Sequence, residues 1–292
     1  MQNYDANKTV HLFISPHLDD VVLSCGGYVY RLVQSGHRVI VLTLVTGDAP
    51  ENAPVTFETW RHKVVWDLGA LPFEGRRQED IDSVKVLGAE FAHLGLLDGI
   101  YRCDVSGTPY YPRNTVGVPV NPIDKDEFLH TVEDALREYL VEVGENQLQV
   151  YCPLALGEHV DHVIIRDVVE GIWGVERTIY YEDYPYAQKL SRNRLEDFVN
   201  RDGAKWDSFV INLNEDEIQA RIASTACHAS QIPDLFMTTL QRWGEILERR
   251  IPFMSRFLVG KLDPTGAEQR MAEAIRSYVK QVGGERYWRH LE

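Results

Sequence analysis

Several features are scarce in this 292-residue sequence, and each absence excludes a class of protein. None of the four cysteines forms a Cys-x-x-Cys pair, so we expect core thiols in a reducing compartment. No apolar run is long enough for a transmembrane helix, and the N-terminus lacks the basic and apolar segments of a signal peptide. We therefore expect a cytoplasmic protein without a membrane span.

Positive charge is also scarce. The chain has 30 Lys and Arg against 44 Asp and Glu, which gives a net charge of -14. This charge argues against nonspecific binding to nucleic acid or to an anionic membrane. The sequence predicts no nucleic-acid partner and leaves the oligomeric state open.

Internal repeats, low-complexity tracts and a clear linker are all missing. The economical prediction is one domain over residues 1–292, with a core over about 8–232 and a helical C-terminal extension over about 233–292. Residues 10–14 and 38–45 are mostly apolar and predict two strands. Apolar residues at helical spacing over 21–35 predict a helix between them, so the sequence predicts a right-handed parallel βαβ unit. Its first turn has no Gly-x-Gly-x-x-Gly motif, so a dinucleotide is not favoured there.

The remaining segments continue an α/β pattern. Helices are predicted over 76–87, 124–143, 161–172 and 214–225, and strands over 90–94, 147–153, 178–181 and 206–211. Residues 56–68 are compatible with a helix, and the segments from 235 onward look helical up to 284–289. Residues 95–121 form a long loop rich in Pro, Gly and Tyr, which we interpret as a substrate-shaping lid or an ordered surface insertion.

Two clusters of His and Asp follow predicted strands. The first is Ser15-Pro-His-Leu-Asp-Asp-Val21, and the second is Gly157-Glu-His-Val-Asp-His162. A lone His-x-x-Asp pair is weak evidence because Asp often caps a helix. Two such clusters at carboxyl ends of strands, however, lie where open α/β sheets bind ligands.

Two imidazoles and one carboxylate can bind a metal ion and leave positions open for water and substrate. We assign His17, Asp20 and His162 as the ligands. Zn²⁺ is the first candidate, although other divalent ions accept the same ligand types.

Proton chemistry needs groups beside the metal ligands. Asp19 is predicted to point away from the ion and to act as general base. His159 could stabilise the oxyanion or protonate the leaving amine, and Asp161 could orient His159 and keep it charged. Together these groups form a set for hydrolysing an amide.

With both clusters in view, the chain resembles the PIG-L/LmbE family of zinc-dependent N-acetylglucosaminyl deacetylases. The resemblance rests on Pro16-His-Leu-Asp-Asp20 with Gly26-Gly27, and on His159-Val-Asp-His162. It extends to further short segments: Leu44-Val-Thr-Gly-Asp48, Arg76-Arg-Gln-Glu79, Leu96-Leu-Asp98, His228-Ala-Ser-Gln231 and Glu285-Arg-Tyr-Trp-Arg289. Leu18 and Val21 depart from the family motif, which usually has Pro and Glu there.

The resemblance implies a Rossmann-like three-layer α/β sandwich with a mostly parallel sheet and C-terminal helical decoration. It also implies a zinc ion at His17, Asp20 and His162, with Asp19 as the base and His159 as an electrostatic group. Arg76 and Asp98 match substrate-binding positions, but Arg76 could instead pair on its helix and Asp98 could cap a turn. His228 could reach the substrate or be a buried structural histidine.

The leading hypothesis is therefore a metal-dependent hydrolase that removes an N-acyl group, with N-acetyl as the first candidate, from a small amino-sugar conjugate. A second hypothesis is an amidase acting on a thiol conjugate or a modified natural product, with loop 99–121 shaping the pocket. A third is a metal- or sugar-binding scaffold without turnover, prompted by the missing Glu at Val21.

Overall fold

The structure is a computed structural model that describes residues 9–54, 56, 59, 72–143, 148–201, 203, 205–236 and 264–291. Most of the helix predicted over 56–68 lies outside these residues. So does the part of the predicted helical C-terminus between 237 and 263.

Strands and helices alternate along the N-terminal part of the chain. They are β1 Val10–His17, α1 Asp20–Gln34, β2 Arg38–Val45, α2 Pro72–Leu87 and β3 Glu90–His93, followed by a single 3-10 turn, Gly99–Tyr101. These bounds confirm the predicted βαβ unit, and β1 extends three residues further than predicted, into the first His/Asp cluster.

The second part continues the alternation. It comprises α3 Pro122–Val143, β4 Leu148–Pro153, α4 Val160–Trp173, β5 Thr178–Tyr181, α5 Arg192–Val199, β6 Lys205–Ile211, α6 Glu215–Ala226, the short α7 Ile232–Leu235, α8 Pro264–Val282 and β7 Glu285–Leu291. The predicted helices and strands of this part are present within a few residues of their expected bounds. Helix α5 was not predicted.

One seven-stranded sheet has the order β3-β2-β1-β4-β5-β7-β6. Strands β1 to β5 are mutually parallel, and β7 runs antiparallel to both β5 and β6. The carboxyl ends of β1, β4 and β5 therefore lie side by side at one edge. This is the mostly parallel α/β fold that the sequence predicted.

The apolar central strands explain the three layers. Neighbouring side chains on a strand point to opposite faces, and β1 is buried on both. Leu12 and Ile14 pack into one buried cluster with α3, α4 and α8, while Phe13 packs into a second cluster with α1 and α2. Helices cover both faces of the sheet. The part of the sheet that is left for a ligand is therefore the end formed by the carboxyl ends of its parallel strands.

The helical expectation for the last residues is wrong. Residues 285–291 form β7, which lies inside the sheet between β5 and β6. Tyr287 and Trp288 are both buried although they point to opposite faces, and Glu285 accepts hydrogen bonds from the backbone N–H groups of Gly27 and Tyr28. The charged residues of β7 interrupt its apolar pattern. Their partners come from distant parts of the chain, so the sequence alone did not indicate a buried strand here.

Candidate functional site

A cavity of about 430 Å³ opens where the carboxyl ends of β1, β4 and β5 meet the loop after the 3-10 turn. Both His/Asp clusters contribute to its wall. Its lining includes His17, Asp19, Asp20, Arg76, Asp98, Thr115, His159, His162, Tyr184 and Gln231. Side chains that are far apart in the sequence, such as His17 and His162 at a separation of 145 positions, therefore share one enclosure.

Three potential ligand atoms form a compact triangle in this cavity. His17 Nδ1 lies 3.2 Å from His162 Nε2 and 3.4 Å from Asp20 Oδ2. The third edge, from His162 Nε2 to Asp20 Oδ2, is 3.2 Å. Donor atoms about 2.0–2.1 Å from a tetrahedral zinc ion lie roughly 3.3 Å apart, so this triangle has the size of such a site.

The other ring nitrogen of each histidine meets a carboxylate. His17 Nε2 lies 2.9 Å from Asp161 Oδ2, and His162 Nδ1 lies 2.7 Å from Asp183 Oδ1. Metal-binding histidines typically donate their second N–H to a carboxylate, which fixes the ring and directs the unprotonated nitrogen at the ion. The donor set therefore fits a divalent cation.

The surrounding charges favour a cation at the same place. Burial disfavours a charged imidazole, yet the carboxylates of Asp20 and Asp183 outweigh it and raise the pKa of His162 to about 9. Positive charge is thus stabilised beside the triangle. A different grouping, His17 with Asp98 and Asp161, also brings potential ligands together. It fits a cation less well because the guanidinium of Arg102 already lies 2.6 Å from Asp161.

Asp19 adjoins the triangle without being one of its corners. It precedes α1, but its side chain makes no capping hydrogen bond, and its backbone φ of 133° is rare for a residue with a side chain. Such conformations persist where the surrounding structure enforces them, often at functional sites. Burial raises the pKa of the Asp19 carboxyl to about 7, although Arg76, 3.7 Å away, acts in the opposite direction.

His159 is held by the loop and by backbone, and not by the carboxylate of Asp161. Its Nε2 lies 2.8 Å from the Thr115 hydroxyl, and its Nδ1 accepts a hydrogen bond from the backbone N–H of Asp161. The carboxylate of Asp161 is 3.9 Å from His159, so the expectation that it orients and charges His159 is corrected. Burial and the neighbouring His17 hold the pKa of His159 well below its usual range.

The long loop is an ordered wall of the cavity. A β-bridge joins Val116 to His159, and the backbone N–H of Val160 donates to the carbonyl of Thr115. At the other end of the loop, Arg102 forms a two-pronged ion pair with Asp124. These contacts agree with the ordered-insertion interpretation, and the loop also contributes Ile100, Asn114, Thr115 and Val116 to the cavity lining.

The three predicted substrate-binding residues have different outcomes. Arg76 and Asp98 both line the cavity. Arg76 also donates to the carbonyl of Leu18, and Asp98 also caps the 3-10 turn by accepting from Ile100 N–H. His228 is 1 % exposed and is not among the lining residues, so its assignment to the substrate is corrected to a buried histidine beside Asp80.

Sequence reasoning missed Asp183, Arg102, Thr115 and Gln231. Asp183 had a usable signal, because it follows β5, the strand next to β4, at the same edge as both clusters. No sequence signal marked Arg102 and Thr115, since only the folded path of the loop brings them to the site.

The PIG-L family model, described as GlcNAc-PI de-N-acetylase, matches residues 12–173, more than half of the chain. The match includes both His/Asp clusters. This chain is a member of the PIG-L family.

Several named deacetylases are similar to this chain in sequence. The 2'-N-acetylparomamine deacetylase of Niallia circulans is 31% identical over 200 residues, which cover 63% of this chain and 70% of that protein. The enzyme of the same name from Streptomyces fradiae is 32% identical over 60% of this chain and 57% of its own length. The 1D-myo-inositol 2-acetamido-2-deoxy-alpha-D-glucopyranoside deacetylase of Corynebacterium glutamicum (strain R) is 25% identical over 75% and 73%.

Solved structures agree on the fold. The zinc inhibited form of a teicoplanin deacetylase superposes with a TM-score of 0.68 at 24% identity, and the match covers 97% of this chain and 98% of that one. No helix in the described ranges is both long and apolar enough to cross a bilayer.

Proposed function

We propose that this PIG-L family member is a metal-dependent hydrolase that removes an N-acetyl group from an amino-sugar conjugate. The observation that carries the proposal is the ligand-sized triangle of His17, Asp20 and His162 in one cavity with Asp19 and His159. The names of the sequence relatives supply the substrate class, because all those described above are deacetylases of N-acetylated amino sugars.

His17, Asp20 and His162 would hold the ion, with zinc as the first candidate from the ligand types. A divalent ion in this position supplies a Lewis acid for the amide carbonyl and makes water more acidic. Asp161 and Asp183 orient the two imidazoles through their second nitrogens.

Asp19 is the proposed general base. Its carboxylate is neither a corner of the triangle nor a helix cap, so it is available to accept a proton. A pKa near neutrality suits a group that takes a proton from the attacking water and later gives one to the departing amine. Water adds to the carbonyl carbon, the C–N bond breaks, and acetate and the free amine leave.

His159 is proposed to stabilise the oxyanion. Because its Nδ1 accepts the Asp161 backbone N–H, its proton resides on Nε2, which is the nitrogen that faces Thr115. A neutral imidazole with this tautomer is a hydrogen-bond donor for the negative charge that develops on the carbonyl oxygen. Arg76 and Asp98, in the same wall, are proposed to bind groups of the sugar.

The test combines metal analysis with acetate release. Purified protein should contain a stoichiometric divalent metal and should release acetate from N-acetylated amino sugars, with 2'-N-acetylparomamine as one probe. The Asp19→Asn variant should keep its metal but lose roughly 100-fold or more in kcat, because the base contributes about that much. Asp82→Asn, an exposed change on α2, is the control and should be fully active.

Two results would contradict the proposal. Wild-type activity in Asp19→Asn would remove that residue from the mechanism. Metal binding without acetate release from any N-acetylated amino sugar would favour the non-catalytic scaffold.

A further inference from the structure

A buried ion-pair chain runs from the metal triangle into the loop. Asp161 places Oδ2 against His17 Nε2 at 2.9 Å and Oδ1 against Arg102 Nη1 at 2.6 Å. Arg102 then donates to both oxygens of Asp124, at 2.6 and 2.9 Å. The Tyr111 hydroxyl completes the chain with a 2.6 Å hydrogen bond to Asp124.

The guanidinium of Arg102 is fixed on every side. Its Nη1 donates to the carbonyl of Leu97, and its Cζ lies 3.8 Å from the centroid of the Phe128 ring. Arg102 is 8 % exposed, and Asp124 and Asp161 are almost completely buried. A planar fork held this way has one orientation, which a flexible ammonium group would not reproduce.

The rigid fork determines how Asp161 can act on His17. With one carboxylate oxygen on Arg102, the other can only face His17 Nε2 and the nearby Gly99 N–H. An extra carbon at Gly99 would lie only 3.0 Å from Asp161 Oδ1, so the absence of a side chain at position 99 leaves room for this carboxylate. His17 Nε2 is therefore the protonated nitrogen, and Nδ1 presents its lone pair to the triangle.

We propose that Arg102 is a positioning residue for the metal site, which acts through Asp161 to fix the tautomer and orientation of His17. Arg102 is not among the residues that line the cavity, so its effect is indirect. This inference rests on the proposed metal ligands, and it assigns to the loop the role of organising the metal site.

The test compares metal affinity among matched variants. Arg102→Lys keeps the charge and loses the fork, and Asp124→Asn keeps Arg102 but weakens its anchor. Arg31→Lys is the control, because Arg31 forms a similar two-pronged pair with Glu217 on α6, outside the cavity wall. Each protein is stripped of metal and titrated with Zn²⁺ against a chromophoric chelator, and the visible spectrum of the Co²⁺ form and the melting temperature are recorded.

Arg102→Lys should bind Zn²⁺ roughly 10–100-fold more weakly, which is the usual effect of changing residues that hold the metal ligands in place. Its Co²⁺ spectrum should be altered. Asp124→Asn should show a smaller loss in the same direction, and Arg31→Lys should match the wild type. A lower melting temperature with wild-type Zn²⁺ affinity and Co²⁺ spectrum in both Arg102→Lys and Asp124→Asn would overturn the inference, since that result describes a purely structural pair. Absence of Zn²⁺ binding by the wild type would instead overturn the proposed function, and this inference with it.

Discussion

At the scale of residues, each metal-binding histidine is paired with its own carboxylate. Asp161, which lies in the same cluster as His162, contacts His17 Nε2. Asp183, just after β5, contacts His162 Nδ1. Asp183 is also anchored, because its second oxygen accepts from the backbone N–H of Leu156. A carboxylate fixed at both oxygens can hold the imidazole in one orientation.

Neutralising Asp183 should therefore weaken metal binding. We expect Asp183→Asn to lower Zn²⁺ affinity roughly 10–100-fold, since the amide keeps the shape but loses the charge that makes His162 a better ligand. Competition with a chelator measures this change. Asp207→Asn, in an exposed ion pair with Arg289, is the control, and equal affinities in the two variants would argue against a role for Asp183.

At the scale of elements, α6 is stabilised by a complete capping box. The Asn214 side chain accepts from Glu217 N–H, and the Glu217 side chain accepts from Asn214 N–H. Glu217 also forms an ion pair with Arg31 of α1, so the cap joins two helices that pack together. The N-terminus of α6 and its contact with α1 therefore both depend on the carboxylate of Glu217.

Removing this cap should affect stability and spare catalysis. We expect Asn214→Ala to lower the free energy of unfolding by about 1 kcal/mol, the usual cost of a lost N-cap, with unchanged kcat and KM because Asn214 does not line the cavity. Urea denaturation measures the change. Ser191→Ala should cost less, since the hydroxyl of Ser191 lies 3.4 Å from the N–H that it caps on α5.

At the scale of the whole molecule, the metal ligands join distant segments. His17 is the last residue of β1, Asp20 begins α1 and His162 lies in the first turn of α4. The site that these three ligands form exists only in the folded protein. An ion that binds there therefore stabilises the folded state through mass action.

We expect the melting temperature to rise with free Zn²⁺ and to fall when a chelator is added. At a concentration 100-fold above Kd the gain is about 2.7 kcal/mol. Calorimetry at several Zn²⁺ concentrations measures it. A His17→Ala variant should show no such dependence, and an equal shift in that variant would place the stabilising ion elsewhere.

Acid should destabilise the fold through His11, at the opposite end of β1 from His17. Burial, together with His37, lowers the pKa of His11 to about 4, while an unfolded histidine titrates near 6.5. Between these values the histidine of the unfolded chain binds more protons, so the contribution of His11 to stability is constant above about pH 6.5 and decreases toward pH 4. One proton can give a slope of at most about 1.4 kcal/mol per pH unit.

The measurement is urea denaturation at a series of pH values. His11→Gln should show a shallower decrease over that interval, and exposed His130→Gln should follow the wild type. Identical slopes in the two variants would exclude His11 as the titrating group.

Much of the α/β pattern was readable from local signals. The apolar strand of residues 38–45 and the helical spacing of 21–35 depend on neighbours in sequence, so they predict β2 and α1 directly. The last strand was not readable in this way. Glu285 and Trp288 are buried, and their polar atoms are paired with α1, with α6 and with Glu182, the residue after β5.

The sequence by itself determined the parallel α/β core, the two His/Asp clusters and the likeness to one family, because each depends on residue types at short spacing. Only the tertiary structure decided which groups meet at the site. His228 is not among the residues of the cavity wall, and the carboxylate of Asp161 contacts the ring of His17. Asp183 contacts His162, Thr115 contacts His159, and Arg102 contacts Asp161. These contacts join segments separated by long stretches of chain, and their geometry follows from how the loop and β5 pack at the end of the sheet.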